Sequence, residues 1–123
     1  MKKILFIEDE QTLQTTLGDR LKEKGYEVLS ALDGEAGISL TKERRPDLIL
    51  LDIILPLKNG FEVLKELKED DDTKEIPVII LTNLESAEEI ERALDLGATT
   101  YLVKTNYSLD DVIGKIEAAF KNY

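Results

Sequence analysis

Six side chains with chemistry to offer follow directly on apolar runs. They are Glu8, Asp9 and Glu10 after residues 4–7, Asp52 after residues 48–51, Thr82 after residues 78–81, and Lys104 after residues 101–103. Asp52 is the hardest to assign to an ordinary surface, because Leu48 to Leu51 precede it and Ile53, Ile54 and Leu55 follow it. A carboxylate set in such a run is costly unless it is paired or bound to a metal. Clustered carboxylates repel one another, and a hard, oxygen-seeking cation relieves that repulsion. Mg²⁺ suits one or two carboxylates together with phosphate oxygens and retained water. A carboxylate can also attack phosphorus to give an aspartyl phosphate. In such a reaction the cation neutralises charge on the transferred group, while Lys104 and Thr82 hold its other oxygens. Taken singly, Glu10 reads as a helix cap, Thr82 as a β-branched strand end and Lys104 as a solvated lysine. Together they form one arrangement with a role for each residue.

Such a constellation needs elements that bring distant stretches of chain to one place. The runs Ile4-Leu5-Phe6-Ile7, Glu27-Val28-Leu29-Ser30-Ala31, Leu48-Ile49-Leu50-Leu51, Val78-Ile79-Ile80-Leu81 and Tyr101-Leu102-Val103 are short. Most are continuously apolar, as in strands covered on both faces. Helical spacing fills the intervals. Leu13, Leu17 and Leu21 recur every four residues, and Gly25 is placed to end that helix. Asp33-Gly34 opens a second helix that Arg44-Arg45-Pro46 closes, and a third runs from about Gly60 to the acidic loop Asp70-Asp71-Asp72. Ser86 to Glu89 reads as a capping box for the fourth, which ends at Gly97, and Ser108 caps the fifth. The order is β-α five times over. Right-handed crossovers then predict a doubly wound α/β sandwich, a five-stranded parallel sheet with helices on both faces. In such sheets the functional site lies beyond the carboxyl ends of the strands, where the strand order switches.

Composition removes other chemistries. The 123 residues fit one domain, and 42% hydrophobic content is enough for a core. With no histidine and no cysteine, the Ser/His and Cys/His nucleophiles, the usual zinc sites and disulfides are excluded. A net charge of −10 argues against direct binding of nucleic acid. No apolar run is long enough to span a bilayer, and Met1-Lys2-Lys3 is followed too soon by acids to begin a leader, so a cytoplasmic location is expected. The loop Glu8-Asp9-Glu10-Gln11 would repel a bare phosphate, and the chain has neither GxGxxG nor GxxxxGK[ST], which argues against a nucleotide site. A Mg²⁺-dependent phosphatase working through an aspartyl phosphate would need an acid where Ile54 stands.

The set Glu8-Asp9, Asp52, Pro56, Gly60, Thr82, Tyr101 and Lys104 resembles, in order and near spacing, the receiver domain of two-component response regulators. The resemblance covers essentially the whole chain, as a single receiver domain over 1–123. It implies the CheY-like, flavodoxin-like fold already expected. It also implies phosphotransfer to Asp52 from a histidine kinase or a phosphotransfer protein. Mg²⁺, a role Mn²⁺ can also fill, would be held by Asp9, Asp52 and the backbone carbonyl of Ile54, with Glu8 assisting through water. Thr82 and Lys104 would contact the phosphoryl oxygens. Tyr101 would move inward as the Thr82 hydroxyl is drawn to the phosphate, although by its residue type alone it reads as a strand aromatic packed on a helix. The chain would catalyse only its own phosphorylation and dephosphorylation. Its output would be binding of a downstream protein through the fourth helix, fifth strand and fifth helix, as a monomer or a phosphorylation-linked dimer, with no output domain before the chain ends at Tyr123. The alternative is a degenerate receiver that acts as a scaffold without phosphate.

Three positions depart from the family's usual pattern. Thr105 stands where proline is common after the lysine, and predicts a differently shaped loop. Asn83 is larger than usual beside Thr82 and is expected to crowd the phosphate. Leu55 replaces a common methionine, a change of packing only. In addition, Ile54 and Leu84 place apolar side chains two residues beyond Asp52 and Thr82, where they would exclude an attacking water and prolong the life of phospho-Asp52.

Overall fold

The computed structural model describes residues 1–121; the last two positions of the expected 1–123 domain lie outside them. The strands are β1 (Lys3–Ile7), β2 (Glu27–Ala31), β3 (Leu48–Leu51), β4 (Val78–Thr82) and β5 (Thr100–Val103). They alternate with α1 (Gln11–Glu23), α2 (Gly34–Arg44), α3 (Gly60–Glu69), α4 (Ala87–Asp95) and α5 (Leu109–Lys121), and a 3₁₀ turn at Lys104–Asn106 follows β5. All strand pairs are parallel in the order β2-β1-β3-β4-β5. The expected doubly wound sandwich is what forms.

The period of two along each strand divides the core. Leu5, Ile7, Ile49, Leu51, Val78 and Ile80 face the layer of α2, α3 and α4. Ile4, Phe6, Leu48, Leu50, Ile79 and Leu81 face α1 and α5. Every residue of β3 and β4 is buried, which is why those runs are continuously apolar. Each such Leu, Ile or Phe contributes about 2 kcal/mol on burial. The edge strand β2 is only partly buried, and its sequence is correspondingly mixed.

Helix ends follow their capping residues. Asp33 accepts from the Ala36 N–H to start α2, and Asn59 and Glu62 form a reciprocal box at α3. Ser108 and Asp111 exchange the same pair of bonds at α5. At α4, Ser86 Oγ accepts from Glu89 N–H and donates to the Glu89 carboxylate, so the expected box closes through side chains. Glu10 occupies the cap position of α1 but makes no side-chain cap bond, so the capping role expected of its carboxylate is not the one it plays. Gly25 and Gly97 follow α1 and α4 with φ of 97° and 110°, values that favour glycine.

The order reverses between β1 and β3. Both neighbours of the reversal end at the same rim, and their crossovers leave on opposite faces, which opens a crevice there.

Candidate functional site

β1 is buried along nearly its whole length, and Glu8 after it is buried too, so the chain emerges from the core only at Asp9. Its N–H donates to Ala31 O of β2 at 2.9 Å, which extends the ladder one residue beyond the strand. Asp52 continues β3 in the same way, its N–H donating to Ile7 O at 3.0 Å. The two acids are therefore held in register by the sheet itself. Gly60, at the start of α3, presses on the far side of this loop. A Cβ there would lie 2.6 Å from Ile53 Cα and closer still to Asp52 O, so no larger residue fits without moving the Asp52 backbone.

Carboxylate oxygens of Glu8, Asp9 and Asp52 lie within 4.8 Å of one another. Asp9 is exposed, whereas Glu8 and Asp52 are buried. The Lys104 ammonium reaches in from the end of β5, 2.9 Å from Asp52 Oδ2 and 2.6 Å from Glu8 Oε1, with Glu10 Oε1 at 4.0 Å. The contact with Asp52 is a hydrogen bond, while that with Glu8 is an ion pair without hydrogen-bond geometry. The other Asp52 oxygen accepts from Ile54 N–H at 3.2 Å. Burial pushes the Glu8 carboxyl up to about 7. The Asp52 charge acts in the same direction, and the contacts with Lys104 and the Glu10 N–H only partly offset it. For Lys104 burial acts downward, but Glu8 and Asp52 outweigh it and hold the ammonium above its ordinary range. Two buried carboxylates thus share one lysine, with an exposed third beside them. This is an all-oxygen donor set with excess negative charge, and it fits a hard divalent cation.

Thr82 closes β4 fully buried, and its hydroxyl has no hydrogen-bond partner among the described residues. Buried hydroxyls are ordinarily paired, so Thr82 stands out at this rim as a buried donor with no partner among the described residues. Tyr101 is half-buried against the α2–α4 layer of the core, and its hydroxyl donates to Leu84 O at 2.7 Å. Burial pushes the phenol up to about 12, with the charges of Glu89 and Asp52 adding to the effect.

The six residues singled out by position therefore sort clearly. Glu8, Asp9, Asp52 and Lys104 meet, with Glu10 at the margin, and Thr82 lies at the same rim. Ile54 contributes its N–H to Asp52, and its side chain is 53% exposed. Leu84 packs against the core. Asn83 and Thr105 are both exposed, and Thr105 lies within the 3₁₀ turn that carries Lys104. Sequence reasoning missed two neighbours. Gln14 is a buried amide beneath Glu8. Lys58 bridges Glu35 and Glu66, 3.4 and 2.7 Å away, and braces the loop after Asp52. Gln14 has a detectable signal, since it stands three and seven residues before the core residues Leu17 and Leu21.

Comparison with known proteins agrees with this geometry. The family described as response regulator receiver domain matches residues 4–117. The DNA-binding dual master transcriptional regulator RpaA of Synechocystis is 34% identical over 121 residues, covering 98% of this chain and 50% of that protein. The chain spans about half the length of the curated relatives it matches. Among solved structures, a CheY-like receiver domain protein from Methanospirillum hungatei superposes with a TM-score of 0.92 at 26% identity, over 99% of this chain and 95% of that one. The Mn²⁺-bound form of response regulator Rcp1 gives 0.81 at 34% identity, over 89% and 86%. The chain belongs to the response regulator receiver domain family. Receiver domains of response regulators are the phosphorylation-dependent signalling modules of two-component systems. Receivers work with histidine kinases or other phosphodonors and bind Mg²⁺ in an acidic pocket, and here Glu8, Asp9 and Asp52 are grouped at the strand ends. Among the described residues no helix is long and apolar enough to cross a membrane.

Proposed function

We propose that residues 1–123 act as one receiver unit whose phosphoacceptor is Asp52. The observation that carries this reading is the burial of Asp52 beside Glu8 with a single lysine between them. Asp9, Asp52 and the Ile54 carbonyl would hold Mg²⁺ or Mn²⁺, with Glu8 assisting through water. When bound, the ion neutralises charge on the phosphoryl group and offsets carboxylate repulsion. An Asp52 carboxylate oxygen attacks the phosphorus of a phosphohistidine. The P–N bond breaks, its electron pair stays on the imidazole, and an acyl phosphate forms on Asp52. Lys104, already bonded to Asp52, then holds a phosphoryl oxygen, and the orphaned Thr82 hydroxyl donates to another. Movement of Thr82 is passed to Tyr101 on the neighbouring strand β5, and so to the α4–β5–α5 face that a downstream protein reads. That the Tyr101 hydroxyl is already bonded to Leu84 O favours a second reading, a receiver-like scaffold that presents this face without phosphate.

Incubation with a small phosphodonor and Mg²⁺, followed by intact mass, separates the two. One added phosphoryl group that disappears in Asp52→Ala and on chelation of the metal is expected. A chain that takes up none, or takes it up equally well in Asp52→Ala, would exclude Asp52 as acceptor.

A further inference from the structure

Beneath the acidic rim lies Gln14, a side chain the reaction does not use. It belongs to the second turn of α1, is 7% exposed, and points back into the sheet. Its Nε2, with two N–H bonds, faces three backbone carbonyls, Phe6 O at 2.8 Å, Ala31 O at 3.0 Å and Glu8 O at 3.1 Å, so one N–H is shared between two of them. Ala31 O also accepts from the Glu8 N–H. One amide nitrogen thus joins the end of β1, the end of β2 and the first residue of the acidic loop. Its own oxygen is buried with no partner among the described residues. An apolar side chain of the same size would avoid that orphan, so the amide is kept for its donors.

We infer that Gln14 is a positioning residue that holds the Glu8–Asp9 arm against the sheet, so that Asp9 meets Asp52 at the spacing one cation requires. The Glu8 carbonyl belongs to the planar peptide that leads into Asp9. Fixing its oxygen fixes the plane, and with it the direction in which Asp9 leaves the sheet. Asp52 needs no such help, since its N–H is in the β1–β3 ladder and Gly60 backs its loop. Asp9 is exposed and lies outside the strand, so without an anchor its arm would be the loose half of the site. The metal half of this statement rests on the Mg²⁺ reading given above.

The test uses Gln14→Leu and Gln14→Met, which keep the size and remove the donors, with Leu17→Val in the same helix as a control for general loss of packing. Two readouts are taken. On metal-free protein, amide hydrogen exchange at Glu8, Asp9 and Glu10 is expected to rise about tenfold in either Gln14 variant, with β4 amides such as Ile80 unchanged. By calorimetric titration, Mg²⁺ affinity is expected to fall about tenfold or more, as when a group that orients a metal ligand is removed. Leu17→Val should lower the melting temperature without either effect. Exchange that stays at the wild-type rate from Glu8 to Glu10, or that rises equally across the sheet, would make Gln14 a purely structural amide and overturn the inference. So would Mg²⁺ affinity within twofold of wild type. If the unaltered chain itself binds no Mg²⁺, the cation reading fails, and the exchange arm alone decides whether Gln14 anchors the loop.

Discussion

The two ends of the sheet carry similar charged groups in opposite settings. At the amino ends of the strands, Arg44 meets Glu27 at 2.8 Å, with side chains 43% and 37% exposed. Nearby, the Lys3 N–H donates to Asp47 and its ammonium to Arg44 O. At the carboxyl ends, Lys104 meets Asp52 and Glu8 at similar distances, but the three side chains are 15%, 4% and 1% exposed. At the first rim water screens the charges and the pairs tie loops together at little cost or gain. At the second, water is largely displaced, so every charge depends on its neighbours. Contact distance does not separate a structural ion pair from a chemical one; burial and the count of charges do. At the amino rim Arg44 and Glu27 pair one to one, whereas the carboxyl rim holds more acid than one lysine can neutralise.

The widest gap between the rims is expected when the lysine is removed. Lys104→Met leaves Glu8 and Asp52 facing each other in the interior. Metal-free stability should fall by about 2 to 3 kcal/mol, near the low end for breaking a buried pair because the ammonium keeps some contact with solvent. Millimolar Mg²⁺ should restore more of the melting temperature in this variant than in the parent, since the ion takes over the missing charge. Urea titration with and without Mg²⁺ checks both. A loss below about 0.5 kcal/mol would put this cluster on the same footing as the exposed pairs of the other rim.

A smaller effect is expected at the mouth of the same rim. Ile54 lies exposed two residues after Asp52, and Leu84 lies two residues after Thr82, packed against the core. Neither offers a group that could orient water toward a phosphoryl group on Asp52. Ile54→Asn combined with Leu84→Glu should therefore speed loss of phosphate about tenfold, roughly 1.4 kcal/mol in the barrier. The decay is followed by intact mass after removal of the donor. The single Ile54→Asn gives the cleaner half of the measurement, because Leu84 also supplies the carbonyl that holds Tyr101. An unchanged rate would mean that the apolar wall does not govern access of water.

Much of this contrast was legible in the sequence, for a physical reason. Residues placed directly after continuously apolar runs must emerge at one rim of a parallel sheet, so Asp52, Thr82 and Lys104 could be gathered from spacing alone. What spacing could not supply was the depth of each group. Glu8 and Asp9 are adjacent acids of similar type, yet one is buried and the other exposed, because only Glu8 continues the β1–β2 ladder. Glu10 takes the expected cap position of α1, but its side chain makes no cap bond and lies at the edge of the charge cluster. Gln14 escaped notice because the stripe through Leu13, Leu17 and Leu21 describes the helix well enough without it. Its spacing to Leu17 and Leu21 could place it on the buried face, but not reveal the carbonyls it serves, which lie six, eight and seventeen residues away in the chain.

The smallest effect is the one expected at the amino rim, and it carries the comparison as firmly as the largest. Arg44→Ala removes a 2.8 Å contact with Glu27 that is as short as any between Lys104 and Asp52. Both partners are more than a third exposed, so Coulomb attraction is weakened by water and offset by the ordering of two long side chains. Stability should change by less than about 0.5 kcal/mol, and the change should shrink further in high salt as screening removes what attraction remains. Mg²⁺ should stabilise Arg44→Ala and the parent equally, because the two rims lie at opposite ends of the strands. Should Arg44→Ala prove as damaging as Lys104→Met in the same urea titration, short distance and not burial would be the quantity that matters, and the distinction between the two ends of the sheet would be lost.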